Sequence, residues 1–134
     1  MTTTTAMLDT YPKPIDLDRR LLAATIDALT ECAAACTSCA AACLGEDMVA
    51  ELTTCISTNL DCAEVCGAAA RVLSRSTGFD ATITGNLLRA CIATCRACGD
   101  ECSLHASMHE HCRMCADSCR ACLRACQDLL KALG

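Results

Sequence analysis

The sequence predicts an all-α protein: an antiparallel up-down-up-down four-helix bundle whose core is lined with cysteine. Three observations predict it. After Asp16 the chain is rich in Ala, Leu, Cys and Arg, and turn signals occur at only three places, LGED (44–47), SRSTGFD (74–80) and LHASMHE (104–110). The cysteines recur in alternating +3 and +4 steps, the spacing of inward positions on a bundle helix. Connections this short between long helices make consecutive helices antiparallel neighbours.

Residues 1–15 read as a flexible tail, a Thr run followed by Pro12 and Pro14, which exclude a helix interior. Residues 16–134 form the bundle, with helical segments expected at 17–44, 48–74, 80–104 and 108–132. Asp16 or Asp18, Asp47 and Asp80 are the expected N-caps, because a short acceptor side chain satisfies the free amides of a first turn. The first segment carries Cys32, Cys36, Cys39 and Cys43. The second carries Cys55, Cys62 and Cys66, with Asn59 at the position that would complete its ladder. The third repeats the first with Cys91, Cys95, Cys98 and Cys102, and the fourth runs Cys112, Cys115, Cys119, Cys122 and Cys126. Stacked in register to within one step, the rungs are Cys32/Cys66/Cys91/Cys126, Cys36/Cys62/Cys95/Cys122, Cys39/Asn59/Cys98/Cys119 and Cys43/Cys55/Cys102/Cys115, with Cys112 above them near His105.

Extending the ladders gives the two ends opposite characters. One end collects Leu22, Thr25, Leu29, Ala69, Leu73, Leu88, Leu129 and Leu133, an apolar plug. The other collects Met48, Leu52, His105 and Met108, with His109 and His111 nearby. Met114 lies one residue off the ladder and reads as packing. Arg113, Asp117, Arg120, Arg124 and Asp128 read as a solvated face.

Composition narrows the chemistry. The chain has 16 Cys in 134 residues, one Phe, one Tyr and no Trp, a cysteine content above the roughly 8–10 % that marks a cysteine scaffold. A net charge of −5 argues against nucleic acid and anionic membrane. The N-terminus has neither the basic nor the apolar stretch of a secretory signal, and no apolar run approaches the ~20 residues of a membrane span. A cytoplasmic chain keeps its thiols reduced. Within a ladder, side chains at i,i+3 and i,i+4 stand about 5–6 Å apart, too far for a disulfide, whose Cβ atoms are about 3.5–4.5 Å apart. An ion bridging two sulfurs suits the longer gap.

Soft thiolates select Cu(I), zinc or iron–sulfur clusters. Iron–sulfur sites take a few cysteines from a loop-borne run. Zinc takes closed tetrahedral sites with separate ligand sets, and four Cys rungs could supply several of these. A continuous sulfur-lined tube suits Cu(I), which accepts low coordination numbers and shares bridging thiolates. Charge favours it too. Buried thiols without cations stay protonated, and one monovalent ion per displaced proton leaves the core near neutrality, whereas one zinc per four thiolates leaves two negative charges. The expected function is therefore non-enzymatic storage of multiple Cu(I) ions, about one per Cys, loaded through the His/Met end. A zinc or cadmium thiolate buffer is the alternative. A thiol redox enzyme is a third reading, resting on Cys112 beside His111, and it needs an exposed, low-pKa cysteine.

The ladders CAAACTSCAAAC (32–43) and CIATCRACGDEC (91–102) resemble the bacterial copper storage proteins, in the branch without an export signal, over about residues 17–133. The resemblance implies a cytoplasmic four-helix bundle, usually a homotetramer, that keeps many Cu(I) ions from harming other proteins. It implies thiolate ligation by all 16 Cys and a mouth formed by His105, Met48 and Met108. Asn59 departs from the family's all-Cys ladder and is read either as an oxygen ligand or as a buried amide fixing helix register. His109 and His111 are read as further mouth ligands or as solvated loop residues. Copper chaperones or low-molecular-weight thiols are the expected partners, and Leu52, Ile56, Leu60 and Ile92 are candidates for an apolar outer face.

Overall fold

The computed structural model describes residues 2–134. Five α-helices follow in order: α1 (Thr3–Asp9), α2 (Arg19–Leu44), α3 (Thr53–Leu73), α4 (Ala81–His105) and α5 (Glu110–Ala132), with a 3₁₀ turn at Val49–Leu52 leading into α3. The four long helices pack in a ring. α2 lies against α3 and α5, and α4 lies against α3 and α5, so α2 faces α4, and α3 faces α5, across the bundle axis. That is the up-down-up-down arrangement the short connections require.

Asp18 and Asp80 cap α2 and α4, their Oδ1 atoms accepting from the amides of Arg20 and Leu21 and of Thr82 and Ile83. Asp47 caps nothing. The second segment instead opens with the 3₁₀ turn, which has no side-chain cap and brings Leu52 to full burial. Leu52 thus closes the core and does not belong to an outer apolar face; Ile56 and Ile92 are half-buried and Leu60 is exposed.

The N-terminal segment also differs from expectation. Thr3–Asp9 form a short helix on α2, with Leu8 buried and Thr2 Oγ1 donating to Asp27 at 2.8 Å. The Tyr11 hydroxyl then meets Thr77 Oγ1 at 2.7 Å in the α3–α4 connection. The Thr run hides this helix from composition: Thr2 caps it locally on Thr5 N, but the burial of Leu8 and the bond to Asp27 that anchor it are tertiary. Gly78, at φ +73°, supplies the left-handed residue of that connection.

The ladder positions form one buried core. Leu22, Leu29, Leu88 and Leu129 close one end together with Thr25, whose hydroxyl donates to the Leu21 carbonyl at 2.8 Å. All 16 cysteines are buried beyond them. α2 is long and apolar enough by composition to cross a membrane, but its inward stripe, Leu22 to Cys43, is buried against α3 and α5, as in a core helix.

Candidate metal centre

Neighbouring sulfurs from different helices stand at nearly constant separation. Cys66 and Cys95 Sγ are 3.6 Å apart, Cys36 and Cys119 3.7 Å, Cys36 and Cys98 3.8 Å, Cys62 and Cys95 3.8 Å, and Cys32 and Cys62 3.9 Å. No disulfide forms, since every cysteine is free. The spacing has a direct meaning for a metal. The centre of a triangle with sides of 3.8 Å lies about 2.2 Å from each corner, and that of a tetrahedron with the same edge about 2.3 Å, the length of a zinc–thiolate bond.

The thiols gather into overlapping groups: Cys32/Cys66/Cys95/Cys122, Cys32/Cys36/Cys62/Cys119, Cys36/Cys98/Cys115/Cys119, Cys39/Cys102/Cys115 and Cys39/Cys43/His111/Cys112. The register therefore differs by one step from the rungs first drawn: α4 and α5 slide so that Cys95 and Cys122, not Cys91 and Cys126, meet Cys32 and Cys66. Helix periodicity leaves that axial slide free, and inter-helix packing sets it. Gly99 marks one such close approach; a Cβ there would stand 3.5 Å from Cys119 Cβ, ordinary contact distance. Cys112 joins Cys39, 3.9 Å away, and does not stand apart near His105. It is buried and its thiol is pushed up by that burial, the opposite of what the redox reading requires.

Asn59 is fully buried in the sulfur column. Its Oδ1 accepts from Cys98 at 2.9 Å, Cys115 at 3.2 Å and Cys102 at 3.5 Å, and its Nδ2 donates to Cys55 at 3.7 Å. A buried amide without partners would be costly; here the thiols satisfy it.

Protonation follows from burial. Desolvation pushes Cys43 up to about 12 and raises Cys55, while the hydrogen bond with Cys126, followed by burial, pushes Cys91 up to about 12. Cys39 moves the other way, because hydrogen bonds from Cys102 and Cys115, and to a lesser degree His111 and Asn59, favour its thiolate.

The end opposite the plug holds the histidines, but not as one ring. His111 Nδ1 is 3.4 Å from Cys39 Sγ and 3.6 Å from Cys112 Sγ, so His111 extends the sulfur column. Burial opposes its charge, yet hydrogen bonds to Cys39 and Glu46 outweigh burial and raise its pKa. His109 is 9 % exposed and stacks on His111 with ring centroids 5.5 Å apart. His105 turns to Glu101, 3.4 Å away on the same helix. Met48 is half-buried and Met108 is 65 % exposed. Glu46, in the LGED turn, brings its Oε2 to 2.8 Å from His111 Nε2 and 3.0 Å from His109 Nδ1. The His111 hydrogen bond holds this carboxyl below the usual carboxylate range. The only sequence signal for it was an acidic residue in the connection at the histidine end.

A helical bundle with overlapping soft-donor groups along its axis, sealed at one end and histidine-bearing at the other, defines a class: proteins built to hold several thiophilic ions as cargo. Residues 18–131 match the copper storage protein family, and the chain belongs to it. It resembles a Streptomyces lividans copper storage protein, Ccsp, loaded with 10 copper equivalents, with TM-score 0.95 and 54 % identity over 96 % of this chain and 98 % of that one. A structure of a cytosolic copper storage protein from the same organism with five coppers superposes with TM-score 0.85 at 57 % identity, covering 86 % and 96 % of the two chains. An uncharacterized cysteine-rich protein of Bacillus subtilis (strain 168), YhjQ, is 33 % identical over 79 % of this chain and 93 % of its own length.

Proposed function

We propose that this protein is a cytoplasmic, non-enzymatic store that sequesters Cu(I) on its core thiolates, at about one ion per Cys. The observation that carries the reading is the overlap of the sulfur groups. Cys32, Cys36, Cys39, Cys115 and Cys119 each belong to two of them, so filling the core requires thiolates that bridge ions. The match to the copper storage family and the copper-loaded S. lividans structures favour copper over a zinc or cadmium buffer. The cytosolic, copper-loaded S. lividans proteins support both the cargo and the compartment.

In this reading all 16 Cys are ligands, His111 Nδ1 joins Cys39, Cys43 and Cys112 in the outermost site, and the Asn59 oxygen serves the group formed with Cys98, Cys102 and Cys115. Ions enter at the histidine end, past His105, His109, Met48 and Met108, because the other end is closed by leucine. Each Cu(I) displaces a thiol proton, so loading releases protons. Copper chaperones or low-molecular-weight thiols deliver and withdraw the ions, and the chain assembles as a homotetramer. Anaerobic titration with Cu(I) against a chromophoric chelator, repeated with competing zinc, tests the reading. The expected result is a capacity near the cysteine count with copper preferred; saturation at one or two ions, or preference for zinc, would overturn it.

A further inference from the structure

The two ends of the bundle differ in charge as well as in chemistry. α2 and α4 end, and α3 and α5 begin, at the histidine end. Residues 44–54 and 100–113, which build that end, carry Glu46, Asp47, Glu51, Asp100, Glu101 and Glu110 against a single fixed cation, Arg113. Six carboxylates and one guanidinium leave −5 with histidine neutral, which is the net charge of the whole chain; the remaining residues balance at ten acids and ten bases. A charge needed only for solubility would not be confined to one end. Apolar side chains break the surface at the same place. Leu44 is 64 % exposed and Leu104 73 %, at the last turns of α2 and α4, and exposed Met108 lies between α4 and α5. Inside this rim His109 is nine-tenths buried, and its Nε2 has no hydrogen-bond partner. A buried polar atom left unpaired calls for an explanation, and a group that visits the mouth supplies one.

We propose that this acidic, partly apolar rim is the docking face for a Cu(I)-carrying protein whose own metal is surrounded by Lys or Arg, and that it turns away anionic copper complexes. The inference rests on the storage reading and deepens it. Cu(I) held by two thiolates carries a net charge of −1, so a small thiol complex meets the rim as a like charge. A protein carrier can surround the same two sulfurs with cations and present the opposite sign. Opposite charges around a recessed site raise encounter rates by about 10–10³-fold, an advantage that falls steeply with ionic strength. Leu44, Leu104 and Met108 offer such a carrier apolar contact area that a small complex cannot use. Once seated, the carrier passes Cu(I) from its two thiolates to two core thiols, whose protons return to the carrier's sulfurs. No further reactant is needed.

The test uses the full-length, metal-free chain under anaerobic conditions and two Cu(I)-loaded donor peptides. Both hold copper on a Cys-X-X-Cys pair beside a Leu; one is flanked by Lys, the other by Glu. At low salt, stopped-flow transfer from the Lys donor should be on the order of tenfold faster than from the Glu donor, and the gap should close as salt is raised. Neutralising the rim with Asp47→Asn, Glu51→Gln, Asp100→Asn and Glu110→Gln together should abolish the discrimination and leave the final copper number unchanged. A control with Asp16→Asn, Asp61→Asn, Glu64→Gln and Asp128→Asn alters net charge equally but away from the rim, and should retain it. Leu44→Ser with Leu104→Ser should slow the Lys donor severalfold at every salt concentration. The inference is overturned if the two donors transfer alike to the unaltered chain, if the control loses discrimination as fully as the rim variant, or if the Leu variant transfers at the original rate. A low copper number in the unaltered chain would sink the storage reading, whereas charge-independent transfer at full copper number would sink this inference alone.

Discussion

The two ends of the bundle are built from the same helices and the same inward positions, yet they do opposite things. At the plug, Leu22, Leu29, Leu88 and Leu129 bury hydrocarbon with little left exposed, each contributing about 1.5–3 kcal/mol. At the mouth the corresponding positions carry Cys112 and Cys43, with His111 beside them and Glu46 and His109 behind, and the groups there hydrogen-bond or stand unpaired. Stability and cargo handling are therefore divided along the axis. Hydrocarbon holds the empty bundle together at one end. The sulfur column, small and weakly cohesive without metal, fills the remainder and opens toward the histidines.

The largest expected effect comes from breaking the plug. Leu29→Ala should cost the metal-free protein about 2–5 kcal/mol, read from guanidinium unfolding, and leave copper capacity unchanged. Cys62→Ala, in the sulfur column, should cost less stability but lower the capacity. If both variants lose stability and capacity alike, the division along the axis is wrong.

Alkaline pH should weaken the sulfur column next. Cys43 and Cys91 are raised from 9.0 to about 12 in the folded chain. A folded-state pKa above the unfolded one gives stability that is intact below 9.0 and drains away as pH climbs toward 12. Anaerobic thermal unfolding of the metal-free chain should therefore fall across that window, while the copper-loaded chain, with no thiol protons to lose, stays level. A flat profile for the metal-free chain would contradict the burial of neutral thiols.

A smaller effect, confined to rate, belongs to the mouth. Replacing His105, His109 and His111 together by Ala should slow uptake roughly tenfold, equivalent to about 1.4 kcal/mol of barrier, with final capacity little changed. Unaltered kinetics in stopped-flow would move the entry elsewhere. The smallest effect is local. Asn59→Leu should lower metal occupancy only where Cys98, Cys102 and Cys115 meet Asn59 Oδ1; full occupancy there in a copper-soaked crystal would make Asn59 purely structural.

Most of the fold was legible because two signals agreed. The +3/+4 ladders place Cys32 to Cys43 and Cys112 to Cys126 on inward stripes, and Asp18 and Asp80 mark helix starts with acceptor side chains that meet the first-turn amides. Where a signal had to act alone it failed. Asp47 resembles a cap, yet Leu52 gains more by dropping into the core through a 3₁₀ turn than the helix gains from starting earlier. The Thr-rich start resembles a tail, yet Leu8 finds a place on α2. His105 stands at a ladder position, but an i,i+4 carboxylate, Glu101, claims it.

Which residues face inward follows from the order of residues along each helix, because helical periodicity is local and sulfur at those positions leaves the core no other filling. That order also makes one end hydrocarbon and the other donor-rich. The axial register that sets Cys32 and Cys66 beside Cys95 and Cys122, and the approach of Glu46 to the imidazoles of His109 and His111, come from the packing of one helix on another. Those depend on how far one helix slides along another, which packing at contacts such as Gly99 with Cys119 settles and no repeat within a single helix records.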